Sequence, residues 1–353
     1  MRWGIVGTGA IAAHFAAACA NKKGSDIVAV ASRTEEAGEH FAHKFAIAQS
    51  VVGATALANL DNVDIIYIAT PNHCHLADAL AVIEAGKPVL CEKPLATNPD
   101  DAEKIAQAAR QANVFCMEGL WSLCVPAYRA ALAQLNKGAI GELKELTASF
   151  GVPQSESTMP RLFDVSSGGG ALLDRGVYLV ALSQLFLGPL KLVQTSGEVS
   201  ASGVDLSATL ILENKDGARA ILSASIDRFG DNTMTLAGSR GRLRFAEPLT
   251  CPASFQIARC DPNAAFKGPS GKPNALASLK NTLRYSPYAN KLKALLRKNE
   301  YWFNGGLQYE IDEVERCIQA GLKESPLVSL DSSIQVLDLV SQAQNQLKRL
   351  SEH

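Results

Sequence analysis

The eight cysteines of this chain include no C-x-x-C pair, and no histidine joins them at zinc-ligand spacing. A zinc finger and a dithiol redox centre are excluded, and Cys91, Cys116 and Cys317, set in apolar runs, read as reduced core residues. Neither sign of charge is in excess. Lys+Arg number 34 against Asp+Glu 35, so a formal charge of -1 offers no global field to recruit nucleic acid or an anionic membrane. No basic leader opens the chain, which enters a strand-like run at Arg2-Trp3-Gly4-Ile5-Val6, and no later segment reads as a bilayer span. The expectation is a cytoplasmic protein with no metal, no membrane and no nucleic-acid partner. No internal repeat is found, and 353 residues suggest two domains.

What is present in residues 1–120 is an alternation of short aliphatic runs with helical stretches. Strands are expected at 3–6, 27–31, 65–69, 89–91 and 114–117, with helices at 10–20, 35–45, 75–85 and 100–112, which is the pattern of an α/β doubly wound Rossmann sheet. The first turn, Gly7-Thr8-Gly9-Ala10-Ile11-Ala12, follows a strand and opens a helix, as a dinucleotide fingerprint requires. Gly7 permits the tight turn, Gly9 lets backbone approach a pyrophosphate, and Ala12 is small enough for close helix packing. A glycine turn that binds nothing is the competing reading.

The end of the second strand decides between dinucleotides. An NAD site usually offers an acid there to the ribose hydroxyls, whereas this chain has Ser32-Arg33, a hydroxyl and a guanidinium suited to a ribose phosphate. NADP is therefore expected ahead of NAD. Glu35 or Glu36 within reach of the ribose, or Arg33 as a plain surface residue, are the alternatives. After the third expected strand comes Thr70-Pro71-Asn72 with His75, a polar loop at the carboxyl end of the sheet, where such folds bind ligands. Next, the run Val89-Leu90 empties into Cys91-Glu92-Lys93-Pro94. An ammonium at a strand end, partly desolvated, can hydrogen-bond or exchange a proton with a reacting oxygen, so Lys93 is the first catalytic candidate; a solvated loop lysine is the bland alternative.

The order of these motifs, the glycine turn, then Ala69-Thr70-Pro71-Asn72 with His75, then Glu92-Lys93-Pro94, resembles the glucose-fructose oxidoreductase/inositol dehydrogenase (Gfo/Idh/MocA) family. The resemblance extends to Gly168-Gly169-Gly170-Ala171-Leu172-Leu173-Asp174 with Gly176 and Tyr178, similar to that family's catalytic helix, and to Gly306–Glu310 and Glu324-Ser325-Pro326. It implies a nucleotide-binding domain over 1–120 and, over 121–353, an α+β substrate-binding domain with a large open, mostly antiparallel sheet whose face makes a homodimer contact. The sequence agrees: β-like alternation recurs at 144–150, 190–197, 208–212, 218–226 and 234–238.

Within that resemblance Asp174 and Tyr178, four residues apart, project from one helical face. A tyrosine hydroxyl near Lys93 is expected to have its pKa lowered by the positive charge and to carry the proton of a substrate hydroxyl or carbonyl, with Asp174 orienting substrate or lysine. The chemistry implied is hydride transfer between a nicotinamide and a carbinol or carbonyl carbon. Tyr178, with Glu118-Gly119-Leu120-Trp121, is similar to the branch acting on trans-dihydrodiols and D-xylose, so the expected substrate is a sugar, polyol or trans-dihydrodiol, with Trp121 and Arg161 as pocket residues. Leu123, where many relatives carry arginine, and Arg175, where an aliphatic residue is usual, depart from the pattern. The rival functions are an NAD-dependent inositol or sugar dehydrogenase and an NADP-binding regulator without turnover. Residues 263–304 read as a basic insertion, and 331–350 as an ordinary packed helix.

Overall fold

In the computed structural model, which describes residues 1–261 and 306–351, the N-terminal aliphatic runs become a six-stranded sheet. Strands β1 (Arg2–Val6), β2 (Asp26–Ser32), β3 (Gln49–Val52), β4 (Ile65–Ile68), β5 (Val89–Glu92) and β6 (Cys116–Gly119) lie in the order β3-β2-β1-β4-β5-β6. Every pairing is parallel, so each connection must cross a face of the sheet, and β4, β5 and β6 are buried along their whole length. The crossovers use α1 (Ala10–Ala20), α2 (Glu35–Phe45), α3 (Ala54–Ala58), α4 (His75–Glu84) and α5 (Pro99–Ala112). Local chemistry sets their starts. Thr34 accepts the Ala37 N–H at the head of α2, and Asn98 accepts the Asp101 N–H at 2.9 Å ahead of Pro99 in α5. Strand order reverses between β1 and β4, which makes the carboxyl ends of those strands the ligand-binding edge of the fold.

Past α6 (Pro126–Asn136) the pattern changes to period-two alternation. Strands β7 (Leu143–Gly151), β8 (Leu190–Val199), β9 (Asp205–Asn214), β10 (Arg219–Ser225), β11 (Met234–Gly238), β12 (Gly241–Phe245) and β13 (Phe255–Arg259) form a second sheet, ordered β13-β12-β11-β7-β10-β9-β8. It is antiparallel except where β10 runs parallel to β7. One face is buried through Leu146, Leu210, Leu222 and Leu236; across the strands Thr147, Thr209 and Ile221 are exposed on the other. Helix α7 (Val177–Leu187) lies on the buried face, together with the long α9 (Leu330–Ser351), which also packs on α5. Helix α8 (Leu307–Gln319) returns to α1, where Glu315 accepts from the Trp3 indole at 3.3 Å and the Ser25 hydroxyl at 2.6 Å.

Three strands escaped the sequence reading, β3, β12 and β13, all at or near sheet edges where side chains are half-exposed and apolar runs are short. The expectation of no membrane-length apolar segment also needs correcting. The helical stretch Val165–Leu187 is long and apolar enough to cross a bilayer, but 78% of its apolar window is buried inside the fold. Apolar residues surround α7 because the helix is enclosed by protein. The eight cysteines are free thiols. The basic segment 263–304 lies outside the described residues.

Candidate active site

The turn after β1 is built around two glycines with different duties. Gly7 has φ +111°, a region closed to L side chains, and a Cβ on it would stand 2.6 Å from the Ala69 carbonyl oxygen. Around Gly9 the opposite holds: among the described residues nothing lies within 4 Å of where its Cβ would be. Helix α1 has no side-chain cap, so its first N–H groups face this open space beside Thr8, Ala10 and Ile11, the arrangement that accepts a pyrophosphate. A dinucleotide fits the residues present.

At the end of β2, Arg33 is exposed while Ser32 is buried. The Ser32 hydroxyl donates to the Thr34 carbonyl, so the expectation that it donates to a ribose phosphate is corrected: its proton is already engaged in the strand-to-helix turn. Arg33 reaches outward, beside the exposed Glu35 and Glu36 that begin α2. In the loop after β4, Thr70 donates to Asp78 at 2.7 Å and Asn72 donates to the Gly168 carbonyl at 3.0 Å, with Pro71 exposed between them. His75, expected beside the cofactor, is fully buried, with Nδ1 2.8 Å from the Pro94 carbonyl and Nε2 2.9 Å from that of Thr70. Burial lowers its pKa against the pull of those two carbonyls. Both ring nitrogens face backbone carbonyls, so His75 sits between one ligand-edge loop and the next, behind the open edge.

Lys93 stands where β5 surfaces. Its ammonium donates to the Asp174 backbone carbonyl at 2.8 Å and to the Asp174 carboxylate at 3.0 Å, and lies 5.1 Å from the centre of the Tyr178 ring. The preceding Glu92 turns inward, accepting from the Tyr67 hydroxyl and from the Lys93 amide at 3.2 Å. Glu92 is only 5% exposed, and burial raises its pKa against the pull of those donors and the Lys93 charge. Glu92 thus lies behind Lys93, inside the fold.

Asp174 and Tyr178 do meet Lys93, but not from a regular helix. Residues Leu172–Gly176 form one π-helical turn ahead of α7, following the positive-φ glycines Gly168 and Gly170. Burial would raise the Asp174 pKa, yet Lys93, Arg161 at 3.9 Å and Arg175 at 3.5 Å outweigh it and hold the carboxyl at about 2. Arg175 is the departure that the sequence left unexplained. It is buried, donates to the Val152 and Ser225 carbonyls, and lies over the Phe150 ring, so it ties the π-turn to the sheet.

Tyr178 reverses the expected sign. Its pKa is raised well above the ordinary value, first by burial, then by the negative charges of Glu92, Asp174 and Glu310, against a hydrogen bond from the Trp121 indole. Lys93 faces the ring, and burial is the largest influence on the hydroxyl. The group is thus held protonated. Trp121 is buried edge-on to Tyr178, whereas Arg161 is half-exposed.

Glu118 and Glu310 are among the buried carboxyls that were missed. Glu118 accepts the Leu95 N–H at 2.9 Å, and burial pushes it up to about 7. Glu310 on α8 is wholly buried, neither oxygen has a hydrogen-bond partner among the described residues, and burial followed by the Glu92 charge raises its pKa well above the carboxylate range. A signal existed: Leu307, Glu310, Ile311 and Val314 share the buried stripe of α8.

The structure thus presents a dinucleotide cradle and, on the same edge, an ammonium fixed by a carboxylate beside a protonated phenol. Residues 1–120 match the oxidoreductase family with an NAD-binding Rossmann fold, and residues 128–244 match the GFO/IDH/MocA C-terminal domain. The chain is 31% identical to trans-1,2-dihydrobenzene-1,2-diol dehydrogenase of Xenopus tropicalis over 98% of both chains, and 32% identical to that of Mus musculus over 97% of this chain and 96% of the other. Among solved structures, a 3-ketoreductase from Actinomadura kijaniata in complex with NADP superposes with TM-score 0.72 at 26% identity, covering 98% of this chain and 97% of that one. An aldose-aldose oxidoreductase from Caulobacter crescentus gives TM-score 0.78 at 21% identity over 99% and 98%. Fold, motif order and full-length similarity agree: the chain belongs to the Gfo/Idh/MocA family of oxidoreductases.

Proposed function

We propose that this protein is an NADP-dependent oxidoreductase acting on a CH–OH or carbonyl group of a sugar, polyol or trans-dihydrodiol. The observation that carries the reading is the Lys93 ammonium, bound twice by Asp174 and set over the Tyr178 ring at the carboxyl end of β5. A nicotinamide, when bound, supplies or accepts the hydride. Gly7, Gly9 and the start of α1 would hold its pyrophosphate, and exposed Arg33, with no acid at the end of β2, favours a 2′-phosphate.

The residues have separable tasks. Lys93 polarises the substrate oxygen; Asp174 keeps the ammonium aimed. Tyr178, held protonated, donates its proton to the oxygen as negative charge develops there during carbonyl reduction. Trp121 fixes the phenol through its indole N–H, and Arg161 lines the open side. Similarity to trans-dihydrobenzenediol dehydrogenases over nearly the full chain supports a diol or sugar substrate. The exposed sheet face carrying Thr147, Thr209 and Ile221 is the proposed homodimer contact.

The test is NADPH fluorescence on binding, followed by nicotinamide absorbance with a panel of trans-dihydrodiols, pentoses, hexoses and inositols and their keto forms. Turnover with at least one member, lost in Lys93→Ala while NADPH still binds, is expected. NADPH binding without turnover on any member, or activity unchanged in Lys93→Ala, would favour a nucleotide-responsive regulator instead.

A further inference from the structure

The helix that carries Asp174 and Tyr178 begins without a cap of its own. Its first amides are met by a carboxylate from elsewhere in the chain, Asp205 at the head of β9, which accepts the Leu172 N–H at 2.6 Å and the Ala171 N–H beside it. The fit is close: a Cβ on Gly170 would collide with the Asp205 carboxylate. One turn further on, the Asp174 N–H bonds the Gly170 carbonyl at 3.1 Å, so the residue that grips Lys93 hangs from the peptide next to the capped amides. On its other side the carboxylate meets the α9 amide of Gln344 at 3.4 Å and borders a cavity of about 210 Å³, also lined by Thr97, Leu173, Val204 and the ammonium-bearing Lys348.

Resting on the reading under Proposed function, we infer that Asp205 is a positioning residue: by capping the π-turn from β9 it holds Asp174 and Tyr178 in register with Lys93. A negative group on uncapped helix amides satisfies donors that have no partner within the helix and favours the helix dipole. Burial lifts the Asp205 carboxyl to about 6, against those amide donors and Gln344, so the cap changes charge within the working range of an enzyme. The charged groups nearby are Lys348 from α9, across the cavity, and Asp174 with Arg175 on the capped turn itself.

The experiment compares wild type, Asp205→Ala and Asp205→Asn in three measurements: NADPH affinity, kcat and KM from pH 5 to 9, and hydrogen–deuterium exchange of the segment 171–178. Asparagine keeps an acceptor for the Leu172 amide and cannot ionise. Expected are NADPH affinities within about twofold of wild type, exchange at 171–178 at least tenfold faster in the alanine variant, and a drop in its kcat of roughly 30-fold. The asparagine variant restores most of both, and the wild-type decline in kcat below about pH 6 is absent from it. Unchanged exchange and kcat in the alanine variant would overturn the inference. So would a decline near pH 6 that persists in the asparagine variant, a measurement that stands even if the alanine variant does not fold. Absence of turnover by wild type on every substrate refutes the functional reading instead, and the exchange measurement then still decides the cap.

Discussion

Replacing Asp174 by asparagine removes one charge and almost no volume from the centre of the site. A carboxyl held at about 2 rather than 3.8 corresponds to about 2.5 kcal/mol favouring the ionised folded state. Because the folded pKa is depressed, that stabilisation is present in full above the unfolded value and is lost as pH falls through the folded one. The substitution leaves Lys93 its 2.8 Å bond to the backbone carbonyl and Arg175 its two carbonyl partners, so the expected loss is about 2 kcal/mol at pH 7, below the range for a fully orphaned buried charge. In urea titrations the gap between wild type and Asp174→Asn shrinks to about half by pH 3, since the unfolded carboxyl is by then mostly protonated. Asp205 and Glu118 titrate in both proteins and cancel. Equal stability at pH 7, or a gap that does not narrow on acidification, would refute the claim that the cationic cluster holds this carboxylate.

Tyr178→Phe keeps the ring contacts with Trp121 and Phe150 and removes only the hydroxyl; kcat for carbonyl reduction should fall by about 100-fold or more, with stability changed by about 1 kcal/mol or less in urea. Arg33→Ala should weaken NADPH binding by roughly 10- to 100-fold and leave NADH binding unaltered in fluorescence titration, the loss of a charge-assisted phosphate contact; equal weakening of both cofactors counts against Arg33 as a phosphate ligand. Glu310→Gln should raise the urea midpoint at pH 8 and do nothing at pH 4. The folded pKa of Glu310 lies above its unfolded value, so the unpartnered carboxyl costs stability only as pH rises past the unfolded value.

How much could be read in advance follows the range of the interactions. Gly7 and Gly9 were legible because a tight turn and an open helix start are local demands, and β4 and β5 because a strand buried on both faces must be continuously apolar. Lys93, Asp174 and Tyr178 were found as separate signals, and their meeting depends on contacts between residues about 80 positions apart. The sign of the Tyr178 shift failed for the same reason: Lys93 was visible beside it, while Glu92 turned inward and Glu310 arrived on a helix more than 130 residues later. Ser32 failed at shorter range, through a side chain that closes on the Thr34 carbonyl, and β12 was hidden because its arginines alternate with Leu243 and Phe245 in a strand of five residues.

The π-turn at Leu172–Gly176 bears on how this site tolerates changes in chain length. A π-turn holds one residue more than the α-helix around it, so deleting a single residue there would leave a continuous, well-formed helix. The deletion would also rotate the residues ahead of it, the Gly168–Gly170 lead-in and the start of the turn, against α7 by about 100°. With α7 anchored in the core, Asp174 and Tyr178 could no longer both face Lys93. Variation in length at this turn therefore alters which side chains meet the ammonium before it alters whether the protein folds, and a shortened relative would have to take its lysine partner from a different position on the helix.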